Sequence, residues 1–437
     1  MSQAFSFDVS WLPQSYGPPP ISATAASLTI RVGKQIATRN DDDWSKSIEN
    51  SARLALYPLA SWLAGCWWRL RWESEPSLRY LPGSDWRMAH ELAAAGHGFL
   101  WPNLTFTSDS QSIRVLGRPT NPLSEEPVRF LADFAEAVPA DVFEREIDNL
   151  LGLVLARLRA LGQEDTGLER LWNDVCKERR DPELATLRRF EAVLGFDPQE
   201  APQGLLNRMI SLSNRAGEQA AEEIAPACAG PDPVGTLNAI EAIASLPGIK
   251  SSPRTADLLR EQLGPLAIPA MPWERGRSLA RSVRIRHGWN GQPLTDESVA
   301  SLLGISVADL KPSWSDSAAP VLGLAIREPG NEMRLHFRKR NRAGLRFEAA
   351  RLLCDELIAP DNDLWLPATD SRTSRQKIQR AFAAELLCPI NSLDEFLSGD
   401  YTPERIEDAA EHFGISPLAI SSHLANNNRI SRWADAF

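Results

Sequence analysis

The sequence predicts a multidomain α+β protein. Three features carry that expectation. Residues 27–32 and 112–116 alternate polar and apolar side chains, as half-buried strands do. Ile147, Leu150, Leu151, Val154, Leu155 and Leu158 recur at helical spacing within residues 143–161. Past residue 271 strand-like and helix-like runs mix again. Proline-containing breaks at residues 121–127 and 264–272 divide the 437 residues into three expected parts. These are 1–125, an α+β tryptophan-rich domain, 126–270, a helical connector, and 271–437, an α+β domain closed by trailing helices.

In the first part, residues 51–68 read as a buried helix running into a strand at 68–73. Ser84 and Asp85 are placed to cap a short helix ending near Gly96. Residues 104–107 and 112–116, joined by Ser108-Asp109-Ser110, read as a hairpin. Eight of the fourteen tryptophans lie here: Trp11, Trp44, Trp62, Trp67, Trp68, Trp72, Trp86 and Trp101. They imply a packed aromatic core, or else a platform for bases or peptides.

The connector reads as helices over 143–161, 168–177, 182–194, 202–225, 235–246 and 252–263. Gly195 closes one helix, Asp197-Pro198 turns the chain, and 226–233 is a Pro/Gly/Ala linker. In the last part, 280–286 fits a strand or a helix end. Thr295 caps 296–303, and Gly304 ends it. A hairpin is expected from 321–327 and 332–337. Helices follow at 344–357 and 371–387, separated by a loop with Pro360, Asp361 and Pro367. Short helices at 392–397, 403–412 and 417–425 complete the chain. Thr402 and Ser416 stand at cap positions, each followed by proline.

Composition narrows the function. Apolar residues at 43% and charged residues at 24% suit a globular core. A net charge of −10 argues against a general binder of phosphate backbones. The five cysteines form no C-x-x-C pair, which suits reduced thiols and a cytoplasmic setting. No basic-then-apolar leader pattern opens the chain. Its richest apolar stretch, 54–68, is shorter than the roughly 18 residues a membrane span needs. No phosphate loop, dinucleotide fingerprint or serine elbow occurs.

The richest motif is Arg346-Phe347-Glu348-Ala349-Ala350-Arg351-Leu352-Leu353-Cys354-Asp355, followed by Ala381-Phe382-Ala383-Ala384-Glu385-Leu386-Leu387-Cys388-Pro389. Together these resemble the two active-site helices of ImmA/IrrE-like bacterial zinc peptidases, R-F-x-x-A-H-E-x-x-H and A-x-x-F-A-x-x-L-L-x-P. The resemblance covers roughly residues 280–430. It implies a gluzincin-like α+β domain. A zinc site of this type needs two histidines four apart on a helix, a glutamate to polarise water, and a third ligand from a second helix. The resemblance puts those roles at Arg351, Leu352, Asp355 and Ile378, and none of the four residues is the family's. A guanidinium only donates and cannot bind Zn²⁺. The expectation is therefore a degenerate member with no catalytic residue, metal or cofactor.

Glu348, Arg351 and Asp355 share one helical stripe. An Arg351–Asp355 pair, four residues apart, would either fill the former metal pocket or lie exposed as a weak surface pair. Phe347, Ala350, Leu353 and Leu357 would face the core against Ile378, Phe382 and Leu386. An alternative metal site would draw on His336, Cys354, Asp355 and Glu385. Asp41-Asp42-Asp43 reads as a cation site or a solvated loop. Arg334, Arg338, Lys339, Arg340, Arg342 and Arg346 reverse the local charge sign. Of these, Arg338, Lys339, Arg340 and Arg342 are candidate contacts to nucleic acid or an acidic partner, unless neighbouring acids balance them. The last two helices have a helix-turn-helix outline, but residues 417–425 hold no Lys or Arg.

Members of the resembled family act on or with repressors in stress responses, mobile elements and phage defence. The expected function is a non-catalytic regulatory or scaffolding protein that binds a protein partner. The alternatives are a metallopeptidase with non-standard ligands and a nucleic-acid-binding subunit.

Overall fold

The computed structural model describes residues 4–13, 17–76, 82–252, 271–312 and 320–431. Helix makes up 51% and strand 17%. The strands form several small antiparallel sheets. The packing separates into two compact units, Met1–Leu206 and Asn207–Phe437.

The strands of the first unit are β1 (Phe5–Trp11), β2 (Ala25–Val32), β3 (Gln35–Ile36), β4 (Asn40–Asp42), β5 (Ser47–Glu49), β6 (Ala52–Ala55), β7 (Asn103–Ser108), β8 (Ser112–Arg118), β9 (Val128–Phe130) and β10 (Phe134–Pro139). Its helices are α1 (Pro19–Ala23), α2 (Leu56–Gly65), α3 (Trp67–Trp72), α4 (Ser84–His90), α5 (Ala140–Ala160), α6 (Gly167–Arg180) and α7 (Pro182–Val193). Strand β2 pairs with β1, β3 and β6, β4 lies between β5 and β9, and β8 lies between β7 and β10. The 104–116 hairpin forms as expected, with Leu104 opposite Gly117 and Phe106 opposite Val115.

The expected boundary after residue 125 falls inside this unit. Strands β9 and β10 follow it in sequence yet pair with β4 and β8 before it. The expected strand at 68–73 is helix α3 instead. Trp67, Trp68, Arg69 and Leu70 are all buried, so no in–out alternation survives. Residues 52–55 of the expected helix are strand β6, held by β2. Ser84 provides no cap: Gly83 holds that position, and α4 stops at His90.

The core joins Trp62, Trp67, Trp68 and Trp101 to Phe5, Phe106 and Phe143, and to the expected apolar face of α5. The packed-core reading applies to those tryptophans. Trp44 does not share it and is 85% exposed at the β4–β5 turn.

The second unit takes up α8 (Gln203–Ala216), α9 (Glu218–Cys228), α10 (Pro233–Ala244), β11 (Ile249–Ser251), α11 (Pro272–Arg286), α12 (Asp296–Leu303), β12 (Gly323–Glu328), β13 (Glu332–His336), α13 (Arg342–Ile358), β14 (Trp365–Ala368), α14 (Ser374–Leu387), α15 (Ile390–Leu397), α16 (Pro403–Phe413) and α17 (Pro417–Asn426). One antiparallel sheet runs in the order β11-β13-β12-β14. Strand β14 lies in what read as a loop. It has only four residues and carries Pro367, whose missing N–H is tolerated on an edge strand. Residues 280–286 belong to α11, which packs along α14. Gly276 permits that approach, since a Cβ there would lie 2.4 Å from the Ile378 carbonyl oxygen. The expected helix over 252–263 lies outside the described residues, apart from Ser252.

The single helix expected at 202–225 is two helices broken at Gly217, whose φ is +106°. An L side chain rarely takes that conformation. A Cβ at Gly217 would also stand 2.2 Å from Asp363 Oδ1. Helix α13 departs from a one-faced pattern too. It buries Arg346, Glu348, Arg351, Asp355 and Glu356 as well as its apolar residues, while Phe347 is only partly buried. Sheet, α12 and α14 pack around it.

Gly217→Ala is expected to destabilise the fold by about 2–4 kcal/mol, through backbone strain and the clash at Asp363. Gly152→Ala, on the open face of α5 with nothing within 4 Å of the added Cβ, is expected to stabilise by about 0.5–1 kcal/mol. Chemical denaturation of the two variants measures both signs.

Candidate functional site

Two capped helices set the geometry. Asn341 caps α13 by accepting from Gly344 N at 2.7 Å. Thr373 caps α14 by accepting from Gln376 N at 3.4 Å. The first turn of α14 then sets Arg375 and Gln376 opposite Asp355 and Arg351 of α13.

Asp355 is 0% exposed. Arg375 grips it with both arms, donating from Nε to Oδ1 at 2.6 Å and from Nη2 to Oδ2 at 2.9 Å. The third arm, Nη1, donates to Asp363 Oδ2 at 2.6 Å. Burial alone would lower the Arg375 guanidinium, but Asp355, Glu223 and Asp363 hold it above the ordinary arginine range.

A second chain of contacts runs alongside. Arg351 Nη2 donates to the Thr369 carbonyl at 2.6 Å and to Gln376 Oε1 at 2.5 Å. Gln376 Nε2 donates to Glu223 Oε2 and to the Pro367 carbonyl, both at 2.9 Å. The Thr373 hydroxyl donates to the same Glu223 oxygen at 2.5 Å. Glu223 comes from α9. Its burial raises its carboxyl above the usual range.

The expected Arg351–Asp355 ion pair does not form. Both charges find better-shaped partners across the helix–helix boundary, and the fork of Arg375 fits a carboxylate bidentately. The exposed-pair alternative fails as well, because Arg351 and Asp355 are both buried. Glu348 joins neither partner. Its Oε2 accepts from Arg338 N at 2.6 Å and from Lys339 N at 3.1 Å.

Zinc does not fit these residues. Leu352 and Ile378 are core side chains, Arg351 only donates, and both oxygens of Asp355 are engaged. Among the described residues no group of three or more His, Cys, Asp or Glu is arranged to hold a metal. His336, Cys354, Asp355 and Glu385 are accordingly not brought together. Cys354 is a buried core thiol, raised well above its usual range by burial. Glu385 accepts from Arg281 Nε at 2.8 Å and lies 3.4 Å from His423 Nε2. His336 is buried on β13 with neither ring nitrogen hydrogen-bonded.

The basic run is largely paired within the fold. Arg338 donates to both oxygens of Asp370 at 2.9 Å. Arg342 donates to Asp296 at 2.7 Å. Arg346 pairs with the same Asp296 and donates to the carbonyls of Leu294 at 2.7 Å and Gly414 at 3.1 Å. Arg334 pairs with Glu328. Lys339 is half-buried beside Arg338, and Arg340 is exposed. The Gly414 contact also ties the turn between α16 and α17 to α13.

Elsewhere, Asp41 accepts from Arg129 at 2.8 Å and Asp42 accepts from Trp44 N at 2.8 Å, so the aspartate run stabilises a turn. The first unit hides a cluster that sequence reasoning missed. Buried Arg69 donates to Glu73 at 2.7 Å, Asp85 at 2.9 Å and Asp197 at 3.3 Å. The five cysteines are free.

Asp355→Ala strands Arg375 in the interior and is expected to cost about 3–5 kcal/mol. Replacing both partners, Asp355→Leu with Arg375→Met, is expected to cost less than Asp355→Ala alone, as read by urea denaturation. His336 supplies a pH test. Burial, reinforced by Arg334, lowers its pKa from 6.5 to about 4. The unfolded chain therefore takes the proton first. The stability linked to His336 is complete above pH 6.5 and declines as pH falls toward 4, by about 3 kcal/mol at most. His336→Leu is expected to remove that slope from denaturation curves collected across the range.

A scan against protein-family models, a search of curated proteins and a search of solved structures each return no match for this chain.

Proposed function

We propose that this chain is a non-catalytic protein that acts by binding a protein partner, in a regulatory or scaffolding role. One observation carries the reading. At positions where the ImmA/IrrE resemblance calls for a metal and its water lies a hydrogen-bonded network, Asp355–Arg375–Asp363 beside Arg351–Gln376–Glu223. A peptidase of that class needs open coordination positions and a base to activate water. Here the carboxylates are bridged by an arginine, and Leu352 stands in the base position. Helix α9 brings Glu223 into the network, so the residues beside β14 are already met by the chain itself.

A partner surface has support of another kind. Trp44 is 85% and Ile48 58% exposed, at the turn and on the outer strand of the β5-β4-β9 sheet. Exposed aromatic and aliphatic groups at a sheet edge suit contact with another protein. The resemblance around Arg346-Phe347 and Phe382-Ala383 supports a setting in bacterial stress control, mobile elements or phage defence.

The test uses the full chain. After equilibration with excess Zn²⁺ and gel filtration, metal analysis is expected to give far less than one zinc per chain. The same protein used as bait in lysate of its native host is expected to retain a partner intact. One tightly held zinc per chain, or metal-dependent cleavage of the retained partner that Asp355→Ala abolishes, overturns the reading.

A further inference from the structure

Cationic side chains crowd the turn from β14 into α14: Arg338, Lys339, Arg351 and Arg380 lie about residues 369–372, with Asp370 and Glu348 beside them and Glu223 and Asp355 farther off. Asp370 is taken by the bidentate grip of Arg338. Glu348 accepts two backbone N–H groups and lies 3.6 Å from Arg338 Nε.

That leaves Arg351 and Arg380. Both donate to one carbonyl oxygen, that of Thr369, at 2.6 Å and 3.5 Å. Arg380 also donates to the Ser371 carbonyl at 2.8 Å. Among the described residues neither guanidinium has a carboxylate within ion-pair distance. Arg351 is 5% exposed and its Nε has no acceptor. Burial lowers Arg351 to about 10. Burial, then Arg351 and Arg372, lowers Arg380 to about 9. Two guanidiniums aimed at one neutral oxygen repel each other, and a buried charge without a counter-charge is unfavourable.

We propose that Arg351 and Arg380 form a binding site for a phosphoryl-type oxyanion, either free phosphate or the phosphate end of a small metabolite. The backbone carbonyls of Thr369 and Ser371 hold the two forks in place, and the buried Arg351 Nε is left without an acceptor. A phosphate carries nearly two negative charges and several strong acceptor oxygens, and it matches two guanidinium forks better than a single-charged carboxylate does. The half-buried Arg380 provides the approach from solvent. The inference goes beyond the partner-binding reading and does not rest on it.

Isothermal titration of the full chain at constant ionic strength tests it, with inorganic phosphate, O-phosphoserine and acetate as probes. Saturable phosphate binding is expected, with acetate much weaker. Arg380→Gln is expected to weaken phosphate binding about tenfold or more, the loss of one charged hydrogen-bond donor set. Arg429→Gln, an exposed arginine beyond α17, is expected to leave it unchanged. If O-phosphoserine binds as well, the site takes phosphate monoesters; if phosphate alone binds, it takes the free anion. Arg380→Lys keeps the charge but loses the fork, and is expected to bind several-fold more weakly. It decides the matter should Arg380→Gln fail to fold. Absence of saturable phosphate binding, equal binding by acetate, or unchanged affinity in the folded Arg380 variant overturns the proposal.

Discussion

The bidentate grip of Arg375 on Asp355 is the contact on which the second unit depends. It fastens the central helix α13 to α14. The third arm of the same guanidinium reaches Asp363, in the loop leading to β14. Asp363 in turn sits against Gly217, the break between α8 and α9. One side chain thus sets the spacing of two helices and the path of a loop. Gln376, one residue further on, does the same for Arg351, Glu223 and the Pro367 carbonyl.

A buried network of this kind does not add stability by its charges alone. Removing ions from water is unfavourable, and a buried pair gains net stability only when its geometry is good and its remaining hydrogen bonds are satisfied. Both oxygens of Asp355 and all three nitrogens of the Arg375 guanidinium are engaged, which meets that condition. The arrangement also differs from a bound metal in a functional sense. A metal accepts exchangeable ligands, whereas an arginine locked between two aspartates has no open position.

Much of the fold was legible where the signal is local. The caps at Thr295 and Ser416, the hairpin of β12 and β13, and the apolar face of α5 all depend on residues a few positions apart. The failures have physical causes. Helix α3 is buried on several sides, so Trp67 to Trp72 carries no periodicity to read. Strand β14 is short and contains a proline. The helix break at Gly217 is specified by contact with Asp363, far away in the chain. The site divided along the same line. Arg351 and Asp355 stood out as positions where the resemblance calls for zinc ligands, yet their partners did not. Arg375 lies twenty residues from Asp355, and Glu223 lies 150 residues from Thr373.

Strand β14 has a consequence for how the molecule keeps to itself. It ends its sheet, and such a strand ordinarily offers free backbone groups on which a further chain can polymerise. Here Pro367 removes one donor, while Gln376 and Gln379 both bond its carbonyl. All four β14 residues are buried, and α9 packs against them. The sheet is thereby finished on that side, which guards the protein against assembling through it into fibrils.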